Sequence, residues 1–201
     1  MAKFLLAALC AVLLSLTAPI AHAVQLTSVE VFDRATLPKV QPSWPVPNDR
    51  NQMFYLQRST NKNTIVYAVR YDGAGNIDAS NPVSVYWRRF NTDGAAKGLK
   101  SVERRFAYGV NASRRDRAGE FLVTLKPLPQ LPMLLRQVGP GRSELWARIG
   151  GKSVRATYAY VTIDEGGLIP KVTAFSIFGI DPTTGRAIGE TFRVKGGAIT
   201  Q

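Results

Sequence analysis

Cysteine and histidine are almost absent. The 201-residue chain holds one of each, Cys10 and His22, and both lie within its first 23 residues. That stretch has the pattern of an export signal. Lys3 supplies a short positive start, Phe4 to Leu16 an apolar run, and Ala21-His22-Ala23 small residues at the two positions a signal peptidase reads. Cleavage is therefore predicted after Ala23, leaving Val24 first and removing 23 of 201 residues to give a product of 178. Pro19 and the Ala-x-Ala site mark processing rather than a retained anchor helix, and Leu9 is too large to precede a lipidated cysteine. The expected product is cysteine-free and histidine-free. It is thereby denied disulfides, thiolate nucleophiles, histidine triads, c-type haem attachment and any His or Cys metal site. No cofactor is expected. Core burial alone has to hold such a product together, and about 180 residues suffice for one core.

Long apolar runs are missing after residue 23, where nothing approaches the ~20 residues of a membrane-spanning helix. A soluble periplasmic or secreted product is expected, with no transmembrane segment after processing. Helical periodicity is also scarce. Leu99, Val102 and Phe106 recur at spacings of three and four, with Gly109 where a C-terminal cap would fall, and they predict one short helix with that apolar face on the sheet. Internal repeats and low-complexity segments are absent.

What is present has mostly a period of two. Val24 to Arg34 reads as a first strand, and Pro38, Pro42, Pro45 and Pro47 then make an extended connector. Phe54 to Arg58, the polar tip Asn61-Lys62-Asn63, and Ile65, Tyr67, Val69 and Tyr71 form a hairpin pattern. Asp72-Gly73-Ala74-Gly75-Asn76 turns the chain toward Val83, Val85 and Trp87. Further strands are expected at 120–125, 133–138, 144–149, 154–163, 172–180 and 191–194, with tight turns at Gly150-Gly151 and Asp181 to Gly185. The expected organisation is a signal peptide over 1–23, an N-terminal strand and Pro-rich connector over 24–47, and one β-rich domain over 48–201. The fold class is all-β, an antiparallel β-barrel or β-sandwich of about 8–10 short strands with one short helix.

Three blocks carry a family resemblance. They are Phe54-Tyr-Leu-Gln-Arg-Ser-Thr-Asn-Lys-Asn-Thr-Ile-Val-Tyr67, Pro82-Val-Ser-Val-Tyr-Trp-Arg-Arg-Phe90 and Ala107-Tyr-Gly-Val110. The closing Ile177-Phe-Gly-Ile-Asp-Pro-Thr-Thr-Gly185 with Gly189-Glu190 adds to them. Together they resemble an uncharacterised family of exported bacterial proteins, domain of unknown function 4833, over roughly Met53 to Val194. The resemblance implies export, a β-rich fold and an envelope setting. It implies no activity and supplies no functional residue.

Motifs of known chemistry are incomplete. Gly151-Lys152-Ser153 ends like a phosphate-binding loop, but that loop needs glycine where Trp146 stands, and a Gly-Gly hairpin explains the residues. Ser59-Thr60-Asn61-Lys62 matches the Ser-x-x-Lys of penicillin-interactive enzymes, yet its flanks are strands and the partner motifs are missing. Carboxylates are the remaining catalytic option. Glu103, Asp116 and Glu120 lie among arginines, and two held several ångströms apart would serve as acid and base on a glycosidic bond. Solvated or arginine-paired carboxylates are the plainer account of all three.

Charge is the informative feature. The net charge of +12 becomes +11 once Lys3 is lost. Arg88, Arg89, Lys97, Lys100, Arg104, Arg105, Arg114, Arg115 and Arg117 stand against only Asp93, Glu103 and Asp116. Arg88, Arg89, Lys100, Arg104, Arg105, Arg114 and Arg115 are the candidate anion-binding residues, with Tyr86 and Trp87 as a candidate aromatic platform. Such a surface attracts phosphate, sulfate or carboxylate polymers. Export argues against nucleic acid, and no recognition motif for it is present. The leading expectation is a non-enzymatic domain binding an anionic or amphipathic envelope polymer or lipid. The alternatives are a carboxylate-dependent glycan-active enzyme and a protein-interaction or assembly module.

Overall fold

In the computed structural model, twelve strands and one helix run through residues 24–166 and 171–195, which are the residues the structure describes. The expected signal segment 1–23 lies outside them. The strands are β1 (Gln25–Arg34), β2 (Gln52–Arg58), β3 (Asn61–Val69), β4 (Val83–Arg88), β5 (Ala96–Gly98), β6 (Val110–Arg114) and β7 (Glu120–Leu125). They continue with β8 (Leu128–Gly139), β9 (Arg142–Ile149), β10 (Lys152–Asp164), β11 (Lys171–Ile180) and β12 (Ala187–Lys195), and the helix α1 is Ser101–Phe106. The two strands beyond the expected range are β5 and β6. Both are short, polar and exposed edges, so neither shows the apolar alternation that marks a strand in sequence.

β10 is the strand that organises the fold. One of its edges pairs with β11 from Arg155 to Asp164. The other pairs first with β9, at Lys152 to Arg155, and then with β2, at Tyr158 to Val161. The sheet therefore forks. One arm runs β2-β3-β4-β5 and the other β9-β8-β7-β6, while β11, β12 and β1 continue from the opposite edge. One hydrophobic core joins the arms, with Phe54, Ile65, Tyr67 and Trp87 from the first meeting Phe121, Leu135 and Ile149 from the second. This is an all-β, sandwich-like arrangement. β1, β5 and β6 each have one paired neighbour, so the sheet is not closed and the barrel alternative is set aside. The chain as it stands also carries Cys10, so "cysteine-free" does not describe it. One pairing departs from the antiparallel expectation, because β2 and β10 are parallel. Both faces of β2 are covered, as its run of buried residues from Phe54 to Gln57 requires.

The second face of β2, β10 and β11 carries a small aromatic core of Tyr55, Tyr158, Tyr160 and Phe178. The Pro-rich connector straps it down. Tyr158 donates to the Pro38 carbonyl, Gln41 Nε2 donates to Tyr160 Oη at 2.8 Å, and Gln57 Nε2 donates to the Pro45 carbonyl at 3.2 Å. The connector belongs to no strand, so its Pro38 and Pro45 carbonyls serve here as acceptors for the sheet's polar side chains.

The β2–β3 hairpin turns at Ser59-Thr60 and not at 61–63, which already belong to β3. Gly150 and Gly151 have φ of 56° and 76°, the left-handed pair that a tight hairpin turn demands.

Candidate functional site

α1 is a single exposed turn and a half. Glu103 closes its first turn, its Oε2 accepting from the Lys100 backbone N–H at 2.7 Å and from Trp87 Nε1 at 3.3 Å. Arg104 and Arg105 occupy the last turn, where cations complement the helix dipole. The expected apolar face does not pack. No residue of α1 is buried, and Val102 and Phe106 are 40% and 54% exposed. Leu99, just before the helix, takes the place in the core instead. Gly109 is no left-handed cap either; a Cβ there would lie 1.8 Å from the Arg104 carbonyl oxygen, so the helix end simply admits no side chain.

Beneath α1 stands a knot of aromatic and cationic groups. Trp87 meets Tyr108 edge-on with ring centres 5.1 Å apart, and the Arg58 guanidinium lies 4.9 Å from the Trp87 ring centre. Arg58 Nη1 donates to Tyr108 Oη at 3.1 Å, while its Nε is buried without a partner. No sequence signal links Arg58 to Trp87, since the β2–β3–β4 register alone brings them together.

The candidate residues fall into three groups. Lys100, Arg104 and Arg105 gather on α1, and Lys97 pairs in register with Trp87 on the neighbouring strand. Among the described residues none of these four, nor Arg58, has a carboxylate within ion-pair distance; the ion pairs involve Arg88, Arg117, Arg136, Lys152, Arg155 and Arg186. Arg88 is already occupied, gripping Asp49 through two nitrogens and the Gly94 carbonyl through a third. Arg89 is half-buried, its Nε without a partner. Arg114 and Arg115 are exposed at the far end of β6, about 13 Å of strand from the α1 end at ~3.3 Å per residue.

The aromatic pair divides as well. Trp87 is only 6% exposed and faces the core, so it props the surface from below and offers no open ring. Tyr86 points to the opposite face, half-buried, and that burial raises its phenol above the ordinary value.

Glu103 and Glu120 stand apart. Glu103 is held at the α1 end of β6, whereas Glu120 begins β7 at the other end, bound to Arg136 Nε at 2.8 Å. The separation along β6 exceeds the roughly 5–9.5 Å that acid–base glycoside cleavage uses. Asp116 is exposed in the β6–β7 turn. The other motifs also resolve structurally. Ser59 Oγ accepts from the Ile163 N–H at 2.9 Å, tying the β2–β3 turn to β10, and Lys62 is exposed.

A family model for a domain of unknown function (DUF4833) matches residues 54–191. The chain belongs to that family. The match covers both arms of the DUF4833 sheet and α1, leaving β1 and the connector before it. No curated protein and no solved structure matches the chain. Among the described residues no helix is long and apolar enough to cross a membrane.

Proposed function

We propose that this DUF4833 domain is exported after cleavage behind Ala23 and acts without catalysis, docking through α1 on a phosphate-bearing lipid of the cell envelope. The observation that carries the reading is the outward pair Val102 and Phe106, set among Lys100, Arg104 and Arg105, which have no ion-pair partner among the described residues. On α1 the cations accompany an exposed valine and phenylalanine, which solubility alone does not require. Side chains of both kinds on one short helix suit a surface that is anionic outside and acyl beneath. Arg105 already lies over the Phe106 ring at 5.1 Å, so the cation and the ring present together.

Flotation with phosphatidylglycerol vesicles, phosphatidylcholine vesicles as control, tests it across a salt series. Binding to the anionic vesicles should fall steeply as the Debye length shrinks from about 10 Å at 0.1 M to about 3 Å at 1 M. The double variants Arg104→Gln/Arg105→Gln and Val102→Ser/Phe106→Ser should each weaken it with the fold intact, since all four side chains are exposed. Equal binding by wild type and variants, or none at low salt, would leave the basic face a solubility feature.

A further inference from the structure

A cavity of about 460 Å³ opens at the end of β6 away from α1. One wall is the 72–80 segment between β3 and β4; the other is the end of β6 and the turn into β7. Gln137 of β8 joins them. Its Oε1 accepts from the Ile77 N–H at 3.0 Å, its Nε2 donates to the Gly75 carbonyl at 3.2 Å, and its backbone N–H donates to the Gly119 carbonyl at 2.9 Å. The Gly141 N–H to Gly75 carbonyl bond, at 2.8 Å, and the Tyr71–Ser143 hydroxyl pair, at 2.7 Å, pin the same segment to the β8–β9 side. The walls are thus fixed by bonds between the two arms, and the floor is apolar, with Ile77 and Phe121 buried.

Charges of both signs line this cavity. Asp72 Oδ1 accepts from the N–H groups of Ala74 and Asn76, each at 2.9 Å. Asp78 Oδ1 accepts from Ser80 N–H and Oγ and from Asn81 N–H, leaving its Oδ2 without a protein hydrogen bond among the described residues. These donors, with the Arg70 charge adding to the effect at Asp78, hold both carboxyls below their ordinary range, so both are anionic at neutral pH. On the facing wall Arg114 makes no ion pair with any described carboxylate, Asp72 and Asp78 included. Opposite charges therefore share one rigid recess without neutralising each other.

We infer that this cavity binds a small zwitterion, an amino acid or short peptide with free termini, its ammonium at Asp78 and its carboxylate on Arg114. An anion alone would face two carboxylates, and a cation alone would face the guanidinium. A neutral solute would leave every charge unanswered. A ligand carrying both charges answers each wall, and the Arg114 fork fits a carboxylate with two parallel hydrogen bonds. The volume lies within the range of small-molecule sites. This site is separate from the α1 surface, and the two proposals succeed or fail independently.

Titration of the protein with L-alanyl-L-alanine, followed by amide NMR, tests the inference. The signals of Ile77, Ser80, Gly119 and Phe121 should shift saturably. Amidating the C-terminus or acetylating the N-terminus of the probe should each weaken binding about tenfold or more, as loss of a charge-assisted hydrogen bond does. Arg114→Gln, on an exposed edge strand, should erase the difference between dialanine and its amide. Asp78→Asn, whose amide oxygen still accepts from Ser80 and Asn81, should erase the difference between dialanine and its acetyl form. No saturable shift at about 10 mM probe would overturn the inference. So would equal binding of the doubly capped peptide, or Arg114→Gln leaving the preference for a free carboxylate intact.

Discussion

Arg88 of β4 grips Asp49, which precedes β2, with Nε 2.9 Å from Oδ2 and a second nitrogen on Oδ1. The Asp49 side chain is 6% exposed and that of Arg88 32%. Within a run of arginines this one is structural, and the contrast with its neighbours is measurable. Asp49→Ala should cost about 2–3 kcal/mol in denaturant unfolding, because it leaves a half-buried guanidinium unpaired. Arg104→Gln should change stability by less than about 0.5 kcal/mol. Equal, small effects would mean that the Arg88–Asp49 pair contributes nothing.

Asp33 ties β1 to the sheet. Its carboxylate accepts from Arg186 Nε and from Lys152 Nζ, the latter at 3.1 Å. Those hydrogen bonds, Arg186 foremost, hold its carboxyl below the ordinary value. A lowered folded pKa stabilises above the unfolded value and is lost as pH falls through the folded one. Amide exchange in β1 and β12 should therefore quicken as pH drops below about 4, relative to exchange in β2 and β3. Asp33→Asn should show the faster exchange already at pH 7 and lose the acid-dependent step. High salt should mute the effect, since the groups are exposed.

Tyr55 and Tyr158 stack 5.1 Å apart under the proline strap, their planes 8° from parallel. Burial pushes the Tyr55 phenol up to about 12 and raises Tyr158 and fully buried Tyr67 as well. Alkaline titration at 295 nm should therefore show two phases, with these three rings ionising late or only on unfolding. The sign follows from the neutral form being favoured when folded. Stability from these rings is full below about pH 10 and declines as pH rises toward 12 and beyond. A single phase centred near 10 would show the rings open to solvent.

Gly189 of β12 lies between Phe32 of β1 and Phe178 of β11 in register. A Cβ there would stand 2.1 Å from Phe32 Cζ and 2.8 Å from Phe178 Cδ1. Gly189→Ala should destabilise by about 1–3 kcal/mol through this overpacking. Gly73, where a Cβ meets nothing within 4 Å, should accept alanine with little change. Equal midpoints for both variants in urea unfolding would show that β1 moves aside freely.

Ten strands, the Gly150-Gly151 turn and the place of α1 were legible in the sequence, because period-two apolarity and turn chemistry are local properties of the chain. For β7 the alternation even gives its boundaries, Glu120–Leu125. The β2–β3 and β9–β10 hairpins were legible too, but long-range pairing was not. The parallel contact of β10 with β2 joins segments about a hundred residues apart, and alternation states only that a strand has a partner. The density of positive charge between Arg88 and Arg117 was likewise written in the sequence. Tertiary structure alone decided its division: Arg88 went to Asp49, Trp87 into the core, Arg114 to a cavity wall, and α1 outward with its valine and phenylalanine. The reason is that the sequence specifies which groups are apolar or charged. Which of them the core has room to bury, and which find a counter-charge, depends on surfaces that exist only once distant strands have met.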